Sequence, residues 1–281
     1  MADFSNVLMT ADFDHTLTDT HGVIPQANVD AINRFIEQGG AFTINTGRSL
    51  PMLQSRLPEV PVNAPLLLYN GAMAYDASRQ EILFVDLLGL EPTQILPALR
   101  EQFPQLLVEV QGLEAHYIFQ PSPQWHSFGV ENHRPGFEIS YDAVPDPFLK
   151  IAIFGSFEDN TVEQFYRTNA EQEAIFVQAQ QWLQDNYGDI LHVDRGAPRI
   201  LDVQRKGATK GSAARRLAQM LGRTHLVCIG DGTNDLSMLL EGDESFIPTD
   251  ADSSLLDRFP ALCPCGQGII AAALAQLEET F

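Results

Sequence analysis

The sequence predicts an α/β fold: a doubly wound, Rossmann-like parallel sheet interrupted by an inserted α+β domain. Two observations predict it. Short apolar runs alternate with amphipathic helical segments at both ends of the chain, the pattern of a parallel sheet with helices on both faces. Between about residues 82 and 194 strand-like runs come instead in pairs with few helices between them. The expected division is 1–81 and 195–281 for the sheet domain and 82–194 for the insert. There is no internal repeat and no low-complexity tract.

The first strand is Val7 to Phe13, an apolar run ending in acids. Asn28 to Gln38 places Val29, Ile32, Phe35 and Ile36 at helical spacing, and Gly39-Gly40 stops it. Ala41 to Asn45 is the second strand. Ser49 to Leu57 is a second helix with Pro51 in its first turn. Leu66 to Tyr69 is a third strand, closed by Asn70-Gly71.

In the insert, Ile82–Val85, Leu106–Val110, Ala115–Phe119, Leu149–Phe154, Ile175–Gln180 and Ile190–Val193 read as strands, with helices near Thr93–Gln102 and Thr161–Glu173. Gln120 to Pro147 is rich in Pro, Gly and His and shows no period. Trp125, Phe128, Tyr141 and Trp182 suit a core or a ligand-facing wall. The alternation then resumes. Ile200–Val203 is a strand, Ala208–Leu221 a helix, His225–Ile229 a strand and Thr233–Glu241 a helix. Ser245–Ile247 is a short strand and Gly268–Glu279 a terminal helix.

Composition excludes several function classes. The 281 residues carry 17 Lys and Arg against 37 Asp and Glu, a formal charge of −20. Phosphate backbones and anionic lipids need a basic surface, so nucleic acid and membrane are not expected partners. A small phosphorylated substrate is compatible if positive charge is concentrated in one cleft. The three cysteines, Cys228, Cys263 and Cys265, make no disulfide framework. Cys263 and Cys265 have no second ligand pair nearby for zinc. The start, Met-Ala-Asp-Phe-Ser-Asn, lacks the basic region of a signal peptide. No run approaches the ~18 apolar residues of a membrane span. The expectation is a soluble, cytoplasmic protein. Oligomeric state leaves no mark on the sequence.

Ligands of open α/β sheets sit at the carboxyl ends of the strands, and four strand ends here carry polar groups. Asp12-Phe13-Asp14-His15-Thr16 sets two carboxylates two residues apart, on the same side. Such a pair repels unless a cation lies between them or one holds a proton. It suits Mg²⁺ binding and a division into nucleophile and acid/base, or it is an acid-rich surface turn. It is not an EF-hand loop, because Thr16 and Leu17 stand where a further ligand and Gly belong. Asn45-Thr46-Gly47-Arg48 opens a helix with a hydroxyl and a glycine, as an anion seat or a plain N-cap does. Lys210 begins a helix against the macrodipole, which an anion nearby would explain, though a solvated lysine also fits. Gly230-Asp231-Gly232-Thr233-Asn234-Asp235 offers oxygen ligands between glycines that admit close backbone approach. It lacks the third glycine of a dinucleotide fingerprint.

In this order and spacing the four segments resemble the haloacid-dehalogenase-like phosphatase superfamily, in particular its Cof-type members with a large α/β cap. Asp12-x-Asp14-x-Thr16, Thr46-Gly47-Arg48, Lys210-Gly211 and Gly230 to Asp235 are similar to that family's four motifs, and Asn70-Gly71-Ala72 to a feature of the subgroup. The insert lies where such members place their cap. His15 departs from the pattern, standing where many relatives have Gly.

The resemblance implies that Asp12 is the nucleophile and forms an aspartyl-phosphate, and that Asp14 protonates the leaving oxygen and then activates water. Thr46, Gly47, Lys210 and Asn234 would hold the phosphoryl oxygens. Asp12, the Asp14 main-chain carbonyl and Asp231 would hold Mg²⁺, with Asp235 and Arg48 supporting. The implied activity is a Mg²⁺-dependent phosphatase acting on a small phosphorylated metabolite such as a sugar phosphate. A phosphosugar mutase and a non-catalytic phosphometabolite sensor are the alternatives.

Overall fold

The computed structural model describes residues 2–90, 92–113, 115–119, 136–138, 148–155, 169–197 and 199–281. They form two compact units. The first holds Met1–Arg48, Ser55–Val85 and Thr209–Phe281; the second holds Ser49–Gln54 and Asp86–Ala208.

The first unit is built on a parallel sheet in the order Glu244–Phe246, His225–Ile229, Val7–Ala11, Ala41–Ile44. The central strand Val7–Ala11 is buried along its whole length, so it reads as a continuous apolar run. Successive side chains point to opposite faces. Leu8 packs in a cluster with Ala213, Ala214, Leu217 and Met238, from the helices Lys210–Met220 and Leu236–Glu241. The helices Gln26–Glu37 and Ile269–Thr280 pack on each other. Buried Asn28 pins them, its Oδ1 accepting from the Ile270 N–H at 3.0 Å and its Nδ2 donating to the Leu17 carbonyl at 3.0 Å.

The third expected strand is Leu66–Leu68. It reaches the parallel sheet through one bridge, Asn45 to Leu67, and its main partner is antiparallel Met73–Asp76. Glu81–Val85 completes that small sheet. The run Ile82–Val85, expected in the insert, therefore lies in the first unit. A tight turn decides this: Asp76 Oδ1 accepts from the Ser78 and Arg79 N–H groups, and Gln80 takes φ 57°. The apolar run specifies a strand but not the strand it pairs with.

The second unit is a six-stranded sheet in the order Leu191–Ala197, Ile200–Arg205, Phe148–Phe154, Leu107–Gly112, His116–Phe119, Gly136–Glu138. All neighbours are antiparallel except the last pair. Helices Pro92–Gln102 and Ala170–Tyr187 bring Leu96, Leu99, Phe176 and Leu183 onto Val110, Ile151 and Ile153. The alternate residues Glu109, Gln111, His116, Lys150 and Asp202 are buried too, with an ion pair between Lys150 and Asp202 (3.0 Å) and His116 Nδ1 3.2 Å from a Glu109 carboxylate oxygen.

Two expected strands are corrected. Ile175–Gln180 is part of the helix Ala170–Tyr187, whose start is capped by Asn169 Oδ1 accepting from the Gln172 N–H at 2.8 Å. A short Ile-Phe-Val run does not separate helix from strand by itself. Ile200–Val203 is a strand, but it pairs antiparallel with Phe148–Phe154 and Leu191–Ala197 in the second unit. The stretch 120–147, with Trp125, Phe128 and Tyr141, lies outside the described residues apart from 136–138, as do residues 161–168 of the expected Thr161–Glu173 helix.

Candidate active site

The ends of the parallel strands carry the polar segments, all in the first unit. Asp12 follows Val7–Ala11 directly, its N–H bonded to the Ile229 carbonyl at 2.9 Å. The next turn is irregular: Asp14 has φ −80°, ψ 133°, and His15 is left-handed at φ 59°. A left-handed position favours glycine. The His15 departure thus falls where the backbone conformation is one that glycine adopts freely.

Lys210 begins its helix because Thr209 and Ser212 cap it reciprocally. Thr209 Oγ1 accepts from the Ser212 N–H at 3.1 Å, and Ser212 Oγ accepts from the Thr209 N–H at 3.0 Å. The ammonium is fully buried and bridges two carboxylates, Asp12 Oδ1 and Asp235 Oδ1, each at 2.6 Å. Burial alone would lower its pKa, but the two carboxylates raise it above the usual lysine value. Asn45 holds the same turn from the next strand end, its Nδ2 donating to the Lys210 carbonyl at 2.9 Å.

Asp235 is saturated. Besides Lys210 on Oδ1, its Oδ2 accepts from the Asp231 N–H at 3.0 Å and the Gly232 N–H at 2.9 Å. It shapes the fourth loop and orients Lys210. Asp231 Oδ1 accepts from buried Thr16 Oγ1 at 2.5 Å. Carboxylate oxygens of Asp12, Asp231 and Asp235 lie within 4.8 Å of one another. One oxygen of Asp12 and one of Asp231 accept no hydrogen bond from the described residues.

Asp14 is held differently. Arg48 grips it with two hydrogen bonds, Nε to Oδ2 at 2.8 Å and Nη2 to Oδ1 at 2.7 Å, while lying over the Phe13 ring. Burial works to raise the Asp14 pKa, yet Arg48 prevails and holds it below the usual carboxylate value. Asp12 and Asp231 go the other way. Burial, reinforced by neighbouring carboxylates, pushes Asp12 up to about 7 despite Lys210, and Asp231 well above its ordinary value.

Were all four carboxylates ionised they would exceed the two cations facing them, Lys210 and Arg48, by two negative charges; burial together with this excess raises the pKa of Asp12 and Asp231. The residues therefore fit a divalent cation of the hard, oxygen-preferring kind. Asp12 and Asp231, with one uncommitted oxygen each, are the side chains placed to hold it.

The anion-seat residues stand beside this cluster. Asn45 N–H bonds to the Ala11 carbonyl at 2.8 Å, so Thr46 and Gly47 emerge next to Asp12. Thr46 is buried, and its Oγ1 accepts from the Arg48 N–H at 3.2 Å. Asn234 Nδ2 donates to Asn70 Oδ1 at 3.5 Å. The sequence reading gave no role to the tie from Thr16 to Asp231, to Asn45 or to Asn70. All three stand inside the four segments or at a strand end, which was the available signal.

The chain belongs to the haloacid dehalogenase-like hydrolases: the model of that family matches residues 9–261. Among curated proteins, one of Bacillus subtilis (strain 168) named "Putative phosphatase YxeH" is 24% identical over 237 residues, 83% of each chain. A haloacid dehalogenase-like hydrolase from Bacteroides thetaiotaomicron has the same fold, with a TM-score of 0.75 at 20% identity over 96% of this chain and 98% of that one. A structure described as the HAD subclass IIB sugar phosphatase BT4131 gives 0.76 at 17% identity over 96% and 98%. No helix among the described residues is long and apolar enough to cross a membrane.

Proposed function

We propose that this hydrolase is a Mg²⁺-dependent phosphatase that acts on a small phosphorylated metabolite, a sugar phosphate, through an aspartyl-phosphate on Asp12. The observation that carries the reading is the buried Lys210 bridging Asp12 and Asp235 beside Asp231, a site with more carboxylates than cations and with free carboxylate oxygens. The names carried by the relatives, a phosphatase and a sugar phosphatase, support the phosphatase part of the reading.

Asp12, Asp231 and the Asp14 main-chain carbonyl would hold Mg²⁺, which when bound would neutralise charge around the transferring group. Lys210 orients the Asp12 carboxylate and adds a second positive charge. Thr46, Gly47 and Asn234 receive the phosphoryl oxygens. Asp12 attacks phosphorus, and the leaving oxygen takes a proton from Asp14. Asp14 then removes a proton from the water that attacks the phosphoaspartate. Arg48 favours the ionised Asp14, the form the second step uses; the proton that Asp14 gives in the first step returns to it from that water, and carrying it works against Arg48. Positioning and charge dominate phosphoryl transfer, and Lys210 and Arg48 place positive charge at this acidic cluster in a chain of net charge −20.

Turnover requires a divalent metal, and Mg²⁺ supports it better than Ca²⁺, because the smaller octahedral ion suits in-line transfer. Phosphate release from an aryl phosphate and a sugar-phosphate panel tests this. Full turnover after exhaustive chelation contradicts it, and phosphoryl return to the substrate in place of release identifies a mutase.

The insert, whose span in the structure is Asp86–Ala208, is in this reading the cap that selects substrate, using the polar face of its sheet. Exchanging it for a relative's insert reorders the preference among sugar phosphates while aryl phosphate hydrolysis persists. An unchanged ranking assigns selection elsewhere.

A further inference from the structure

Three consecutive residues, Tyr69, Asn70 and Gly71, have positive φ, at 54°, 54° and 93°. Glycine bears this freely, but a buried tyrosine in that region is a conformational outlier. Strain of this kind persists where the surroundings over-determine it, and it concentrates at functional sites.

The surroundings are the segments already described. The Tyr69 N–H donates to the Arg48 carbonyl at 3.1 Å and the Asn70 N–H to the Thr46 carbonyl at 2.9 Å, so the turn grips both ends of Thr46-Gly47-Arg48. A β-carbon on Gly47 would stand 2.9 Å from Asn70 Oδ1, so the Asn70 amide lies directly against the seat's glycine. The same Oδ1 accepts from Asn234 Nδ2 at 3.5 Å. A β-carbon on Gly71 would stand 2.3 Å from the Thr209 carbonyl, so the turn also abuts the cap of the Lys210 helix. One three-residue turn thus touches the second, third and fourth segments.

We propose that Tyr69–Gly71 is the positioning element of the phosphate seat and that Asn70 is its working side chain. Its backbone fixes the Thr46–Arg48 loop, and its amide sets Gly47 and Asn234 at one separation. Asn70 is buried with its Oδ1 engaged by Asn234 and set against Gly47, so it acts through those neighbours. This role rests on the phosphatase reading above.

The test compares wild type, Asn70→Gly, Asn234→Ala and the double variant, in Mg²⁺. The readouts are KM and kcat on an aryl phosphate, competitive inhibition by inorganic phosphate, and thermal unfolding. Glycine keeps the left-handed backbone, so Asn70→Gly isolates the amide. Its KM and phosphate inhibition constant rise about tenfold or more, with a smaller change in kcat and little change in Tm. The double variant loses less than the two single losses combined, since Asn70 works partly through Asn234. A merely structural residue would lower the active fraction, and so kcat, without moving KM. Wild type that neither hydrolyses aryl phosphate nor binds phosphate overturns the phosphatase reading and this role with it. Wild type that does both, with Asn70→Gly within twofold in KM and phosphate inhibition, overturns this role alone. If Asn70→Gly and Asn70→Ser both fail to fold, Asn70 serves folding and the positioning role is wrong.

Discussion

Asp12→Asn lowers kcat by at least about 10⁴-fold, while Asp14→Asn lowers it by about 10²–10⁴-fold in a manner that depends on the leaving group. The two carboxylates are chemically alike, but their surroundings differ. Asp12 is buried against Lys210, with one oxygen open towards Asp231. In the proposed mechanism the asparagine would take away the attacking oxygen and a metal ligand, and it also removes one of the two Lys210 partners. Asp14 is gripped by Arg48, and in the proposed mechanism its side chain would serve proton transfer. With a good leaving group the first step needs little protonation, so Asp14→Asn retains it better than the second step. Steady-state rates on aryl phosphates of graded leaving-group pKa check this. Equal losses for both variants across the series contradict the division of roles.

Lys210→Met has the largest expected effect on stability. The ammonium is fully buried between Asp12 and Asp235, and its removal leaves buried carboxylates without their cation. Breaking such a pair costs about 3–5 kcal/mol, of which most is the penalty on the charges left behind. Because the surplus negative charge then grows, Mg²⁺ raises the Tm of the variant more than that of wild type. Thermal unfolding with and without Mg²⁺ measures both effects. A variant as stable as wild type in chelator shows that the carboxylates do not depend on the lysine.

The parts of the site legible in the sequence were those written as residue type at a strand end. Asp12, Thr46, Lys210 and Asp231 each follow or open an element whose apolar pattern is plain, so their convergence follows from a parallel sheet. The partners were less legible. Arg48 clamping Asp14, and Thr16 bonding Asp231 across the sheet, are contacts between segments that spacing does not encode. The left-handed Tyr69 is invisible because a tyrosine carries no signal of positive φ; only Asn70-Gly71 hints at a turn. In the fold, Ile82–Val85 and Ile200–Val203 were recognisable as strands but not as members of a given sheet, since pairing depends on the turns that precede them. Ile175–Gln180 was misread because its apolar run is shorter than the helix that contains it.

The most direct test of the central claim is rapid quench of wild-type protein with a labelled aryl phosphate and Mg²⁺, followed by mass analysis of the peptide containing Asp12. The account predicts a transient phosphoryl adduct on Asp12, absent in Asp12→Asn and accumulating in Asp14→Asn. Label on Asp14 or His15, or turnover with no adduct on Asp12 at any quench time, contradicts it.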